Sequence, residues 1–177
     1  MTAIDLEHVV VGWSPQVVLA LYDDLSPELH GYALAIARDP GTAEDLVQES
    51  FVRLLNEHRR GRAPNDPRAW IFRVCTNLVR SRFRRRVVAE RRRGALIDHD
   101  TAESAESTVI RSEQRREVRE ALEALPVEVR MALMLSAEGF TGREIARTLG
   151  RSEGATRNLL WRGRLELRRT LTGEAGR

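Results

Sequence analysis

The stretch Phe140 to Arg169, FTGREIARTLGRSEGATRNLLWRGRLELRR, constrains the fold more than any other part of the chain. Thr141 followed three residues later by Glu144 forms a capping box, in which the hydroxyl accepts from the Glu144 N–H and the carboxylate accepts from the Thr141 N–H. A helix is therefore predicted to start here. Ile145, Ala146 and Leu149 share one of its faces, and Gly150 stands where the helix must stop and the backbone needs an open conformation. Ser152 then caps a second helix, in which Thr156, Leu160, Gly163 and Leu167 form the inner stripe. Glu153, Arg157, Asn158, Trp161 and Arg164 are left on the outer face. The result is a helix-turn-helix whose second helix is polar and carries arginine. An ordinary helical hairpin with a solvated basic face is the alternative.

Size and charge narrow the setting. The chain has 177 residues, enough for one medium domain or two small ones, and all 29 of its basic residues are arginine. The charge is unevenly spread: residues 1–58 hold ten acids against two arginines, whereas residues 59–93 hold thirteen arginines against Asp66 and Glu90. Residues 94–139 are acidic again, and residues 140–177 have nine arginines against four acids. Two basic regions separated by an acidic one suggest two contacts with a polyanion. Cys75 is the single cysteine, which fits a reducing cytoplasm. His8, His30, His58 and His99 are scattered, so no metal site is expected. The start, MTAIDLEHVVVGW, lacks the basic and apolar regions of an export leader, and no apolar run is long enough to cross a membrane.

The periodicity predicts an all-α protein. One helix should run from Pro15, with Val18, Leu21, Tyr22 and Leu25 inward, and a second from Ser26-Pro27, with Leu29, Tyr32, Ala33, Ile36 and Ala37 inward. Thr42 is expected to cap a third, to about His58, buried through Ala43, Leu46, Val47, Phe51, Leu54 and Leu55 and exposing Glu44, Asp45, Gln48, Glu49 and Arg53. After a basic loop, Arg59 to Asn65, the pair Asp66-Pro67 signals a fourth helix to about Arg86. Trp70, Ile71, Val74, Cys75, Leu78 and Val79 would be buried there, with Arg73, Asn77, Arg80 and Arg84 outward. These elements make a first domain at 10–90. Residues 91–111 have no stripe and are expected to be a flexible acidic linker. A helix from about Glu113, burying Val118, Ala121, Leu122 and Leu125, and another from Val127, burying Val129, Leu133 and Met134, complete a second domain at 112–172.

The fourth helix carries a distinct chemistry. Eight arginines fall between Arg80 and Arg93, with Trp70, Phe72 and Phe83 interleaved nearby. Guanidinium forks pair with phosphates and aromatic faces stack on unpaired bases, a composition suited to single-stranded nucleic acid. The third helix differs: Asp45, Gln48 and Glu49 would repel phosphate and suit a protein partner.

At this point a family resemblance enters. Ala43 to Phe51 (AEDLVQESF), then Pro67 to Val74 (PRAWIFRV) with Asn77-Leu78, resembles region two of the extracytoplasmic-function sigma factors of bacterial RNA polymerase, and Ala124-Leu125-Pro126 with Thr141 to Arg169 resembles their region four. The resemblance implies two small helical domains joined by a flexible linker, in a protein that directs promoter-specific initiation. By the same resemblance Asp45, Leu46, Gln48 and Glu49 dock on the clamp helices of the largest polymerase subunit, and the second domain meets the flap of the second-largest. It implies that Arg73, Asn77, Arg80 and Arg84, with the Arg59 to Asn65 loop, meet the melted minus-ten strand. It further implies that Ser152, Glu153, Arg157, Asn158, Trp161, Arg162 and Arg164 face the duplex minus-thirty-five element. An anti-sigma factor is a candidate partner, no cofactor is expected, and catalysis belongs to the polymerase. Thr156, Leu159, Trp161 and Leu165 depart from residue types common in the family. A stand-alone helix-turn-helix regulator is the alternative function. An enzyme built on Glu44, Asp45 and Glu49 is disfavoured, because Glu44 and Asp45 diverge by about 100° on a helix and no histidine partner lies nearby.

Overall fold

A computed structural model describes residues 15–93 and 109–172, with side chains described at 16–85 and 116–172. Seven helices, and no strand, occur among the described residues: α1 (Pro15–Ala37), α2 (Pro40–Arg59), α3 (Pro67–Arg93), α4 (Val109–Ala124), α5 (Val127–Ala137), α6 (Gly142–Leu149) and α7 (Glu153–Leu171).

The two helices expected around Ser26-Pro27 are one, with Pro27 inside α1. Proline removes one N–H and crowds the carbonyl four residues earlier. Here that residue is Asp23, and Asp23, Asp24 and Pro27 all face solvent, which leaves the freed carbonyl on the wet side while Leu25 and Leu29 stay buried on the other. The start of α2 also lies earlier than Thr42. Asp39 is the cap, its Oδ2 accepting from the Thr42 N–H at 2.7 Å, and Pro40 occupies the first turn. Asp66 caps α3 in the expected way, accepting from the Ala69 N–H at 2.9 Å.

Burial follows the predicted stripes with informative exceptions. Leu29, Tyr32, Ala33 and Ile36 of α1, Leu46 and Leu54 of α2, and Ile71, Phe72, Cys75 and Val79 of α3 form the heart of the first half. The Tyr32 hydroxyl lies 2.7 Å from Thr76 Oγ1, which itself donates to the Phe72 carbonyl, so Tyr32 must be the donor to Thr76. Tyr22 and Val118, expected inward, are about two-fifths exposed, and Trp70, Val74 and Met134 are half-buried. Burial pushes the Cys75 thiol up to about 12, so it stays protonated.

Helices reach into both ends of the segment expected as a linker at 91–111. Helix α3 runs on to Arg93 and α4 begins at Val109, because arginine is a good helix former and the charge run does not break the helix. Residues 94–108 lie outside the described residues, as do 10–14.

The two halves share one cluster of buried side chains, from Leu21 to Val79 and from Leu125 to Leu160. Arg130, one of five buried residues in α5, sits at the joint. Its NH1 donates to the Ala35 and Ile36 carbonyls at 3.4 and 3.5 Å, and its NH2 to those of Glu123 and Leu125 at 3.3 and 3.0 Å. The carbonyl ends of α1 and α4 thus converge on one cation, the charge that a helix C-terminus favours. Arg38, at φ 62°, also donates to the Glu123 carbonyl. Burial, with Arg38 close by, pushes the Arg130 guanidinium down to about 10, so it remains charged at neutrality.

Candidate nucleic-acid interface

Helices α6 and α7 are set by their caps. Thr141 N–H donates to Glu144 Oε2 at 2.7 Å and Glu144 N–H to Thr141 Oγ1 at 3.3 Å, completing the capping box. Gly150 ends α6 at φ 62°, and the Arg151 N–H closes the turn on the Ala146 carbonyl at 2.9 Å. Ser152 Oγ accepts from the Ala155 N–H at 3.2 Å to start α7. Thr156, Leu160 and Gly163 are the buried face of α7. At Gly163 the helices cross so closely that an added Cβ would lie 2.5 Å from Val129 Cγ1. Glycine is what lets α7 seat on α5.

This seating leaves Arg157, Asn158, Trp161, Arg162 and Arg164 exposed together. Arg157, Asn158 and Arg162 have no polar partner among the described residues. Arg164 NH2 donates to Ser136 Oγ at 2.9 Å, and Glu153 pairs with Arg143 at 3.2 Å, so these two are held in place on the surface. Leu159 and Leu165 are half-buried, and Leu159 packs against the core.

Arg73, Asn77, Arg80 and Arg84 recur along one side of α3, as their spacing of four, three and four requires. Arg73 and Arg80 are half-buried; Asn77 and Arg84 are exposed. In the preceding loop Arg60 and Arg62 both bind Glu57 Oε1, at 3.2 and 2.9 Å. An open cleft of about 350 Å³ lies between this surface and α6, with Arg62, Asn65, Trp70 and Arg73 on one side and Glu144 and Arg147 on the other. Arg80 bridges the halves: its NH1 donates to the Leu149 carbonyl at 3.0 Å and its NH2 lies 3.6 Å from Glu128, which also binds Arg151. Phe72 is no base platform. It is wholly buried, 5.0 Å in ring centroids from Phe140 and 5.5 Å from Tyr32.

On α2, Asp45, Gln48 and Glu49 are exposed, but Leu46 is 1 % exposed and belongs to the core rather than to that face. Its sequence position, one step from Asp45, turns it about 100° inward. Asp45 pairs with Arg82 at 3.2 Å and Glu49 with Arg53 at 2.8 Å. Such surface pairs are worth about 0–1 kcal/mol and yield readily to a partner.

Sequence reasoning missed Arg130. Its one signal was a lone basic residue in VEVRMALMLSA, a mostly apolar segment whose only other charge, Glu128, lies in the first turn.

A helical protein with a capped helix-turn-helix in one half and an arginine-lined helix in the other belongs to the nucleic-acid-binding class. The comparisons narrow that class: residues 21–87 match the family described as Sigma-70 region 2, and residues 115–167 match Sigma-70, region 4. The chain is 30% identical to the ECF RNA polymerase sigma factor SigL of Mycobacterium tuberculosis, over 86% of this chain and 87% of that one. It is equally 30% identical to the ECF RNA polymerase sigma factor EcfG of Rhodopseudomonas palustris, over 84% and 83%. A solved structure of the sigma factor RpoE from Bartonella quintana, in complex with the anti-sigma factor NepR, has the same fold, with a TM-score of 0.74 and 23% identity over 93% of this chain and all of that one. The chain belongs to the ECF sigma factors, alternative sigma factors that direct transcription initiation.

Proposed function

We propose that the chain binds core RNA polymerase in the cytoplasm through the exposed face of α2, with Asp45, Gln48 and Glu49 as the docking residues on the clamp helices. Its first unit, residues 10–90, meets the melted minus-ten strand through Arg73, Asn77, Arg80 and Arg84 and the Arg59 to Asn65 loop. Its second, residues 112–172, enters the minus-thirty-five duplex with α7, where Arg157, Asn158 and Trp161 face base edges, Arg162 and Arg164 face phosphates, and Ser152 and Glu153 lie at the leading end. The chain supplies recognition and no catalytic group. An anti-sigma factor is a fitting partner, since the Bartonella protein was solved in complex with the anti-sigma factor NepR.

The observation that carries this reading is the basic face of α7, with Arg157 and Arg162 unpaired, on a helix-turn-helix whose caps and close crossing fix its pose. Strand binding by Arg80 needs the halves to part, because its guanidinium otherwise serves Leu149 and Glu128. Extruding a base from the stack costs a few kcal/mol, and polymerase and strand contacts offset both demands.

In vitro transcription with bacterial core polymerase on a library of upstream regions tests the reading. Transcripts starting at fixed positions only when the chain is present support it. Arg157→Ala should then weaken promoter binding while core association is kept, and the Asp45→Arg, Glu49→Arg pair should lose core association first. Duplex binding with no core association and no directed starts would favour a stand-alone regulator instead.

A further inference from the structure

Trp161 is the bulkiest of the exposed large apolar side chains, at 63 %. No aromatic or cationic group packs on its ring among the described residues. It follows Leu160, which is buried, and so points about 100° away from the stripe that seats α7. Arg157 is one turn before it, Asn158 three residues before and Arg164 three residues after, so the indole is framed by an amide and two guanidinium groups on one helix face.

An apolar ring in that frame does not suit an apolar partner helix, since docking would bury the flanking charges without compensation. It suits a surface with anionic walls and apolar points on its floor. The DNA major groove is such a surface: phosphates line both sides, and each thymine presents a C5-methyl group. From Glu153 to Trp161 α7 rises about 12 Å, and the groove is about 12 Å wide. A helix entering with Glu153 at one wall would thus keep the indole within the width of the groove.

We propose that Trp161 selects thymine in the upstream promoter element by packing its indole on the C5-methyl group. The inference rests on the reading that α7 enters duplex DNA. It makes part of the consensus depend on an apolar contact, where a hydrogen-bonding ring at the same position would read a different feature of the base.

Deoxyuridine tests this directly, because it differs from thymidine in that methyl group alone and keeps the same hydrogen-bonding edge. The probes are promoter duplexes selected by reconstituted holoenzyme from a library randomised upstream, with each upstream thymidine replaced singly by deoxyuridine. Wild-type holoenzyme should lose about fourfold in affinity at one or two positions, the worth of one buried methyl group. Trp161→Ala should bind the thymidine duplex more weakly and be indifferent to the same replacements, while Trp161→Phe should keep part of the sensitivity. Wild-type indifference at every position, or a loss that persists in Trp161→Ala, overturns the proposal. Should Arg157→Ala also leave upstream binding unchanged, the reading of α7 as a duplex reader falls and takes this inference with it; Arg157 sensitivity without deoxyuridine sensitivity sinks the inference alone.

Discussion

Phe72 of α3 and Phe140 of the α5–α6 turn meet with their ring centroids 5.0 Å apart and their planes tilted by 58°, and the Arg68 guanidinium stands 4.7 Å from the centre of the Phe140 ring. The two rings come from different halves of the chain, so the contact is at once core packing and a joint. Both are buried, Phe72 wholly and Phe140 to all but 8 %.

Removing the Phe140 ring should therefore act on stability and on shape together. Phe140→Ala is expected to cost about 3–5 kcal/mol, the usual loss for a buried phenylalanine. It should also enlarge the radius of gyration seen by small-angle scattering as the halves separate. A loss under about 1 kcal/mol in chemical denaturation, with the radius unchanged, would show that Phe140 does not join them.

Arg130 offers a second handle on the same joint, through polar contacts. Arg130→Ala removes one guanidinium from four backbone carbonyls, those of Ala35, Ile36, Glu123 and Leu125. Hydrogen bonds from a charged donor are worth about 1.5–3 kcal/mol in net terms. A loss of about that size is expected in equilibrium unfolding, together with faster amide exchange in the last turns of α1 and α4. Protection unchanged at residues 35 to 38 would count against the contact.

At Gly163 two effects oppose each other. Alanine is favoured over glycine by about 1 kcal/mol in a helix interior, yet the new Cβ would meet Val129 Cγ1 at 2.5 Å and Leu133 Cδ1 at 3.2 Å. Overpacking of that kind costs about 1–3 kcal/mol and should prevail. Gly163→Ala is thus expected to lower the melting temperature, and a rise would mean that α7 can shift off α5 without penalty.

Acid should loosen the helix-turn-helix through Glu144. The Thr141 hydroxyl and backbone N–H, in that order, hold its carboxyl below the ordinary value of 4.5. A carboxyl depressed on folding binds fewer protons in the native state, so its contribution is present above 4.5 and is lost as the pH falls through the folded value. Glu144→Gln should flatten the fall of α6 amide protection as the pH drops below the ordinary value of 4.5. The same slope in both proteins would remove Glu144 from the acid response.

Local signals carried most of the fold. The capping box at Thr141, the left-handed Gly150, the Ser152 cap and the Asp66-Pro67 start are encoded by residues within four positions of one another, and each stands where its chemistry predicts. The failures are of two kinds. Pro27 and the charge run after Arg86 looked like breaks, but a proline on the wet side of a helix and a string of arginines both allow it to continue. The joint was invisible for another reason: Arg130 meets backbone carbonyls nearly a hundred residues away, and periodicity reports which face is buried but not against what. At the candidate site, the outward positions on α3 and α7 were legible from their spacing. Leu46 was legible too, since its stripe put it inward, and only the likeness between motifs set it among the docking residues.

The clasp formed by Arg130 has a consequence for how such a chain can drift. Its acceptors are main-chain oxygens, which every amino acid carries, so exchanges of side chain at positions 35, 36, 123 and 125 leave the acceptor chemistry intact. The donor has no such freedom, because a planar fork reaching four oxygens from two helices is specific to arginine. Within this clasp only the donor is therefore tied to one kind of side chain, while the four acceptor atoms would survive any exchange of the residues that carry them.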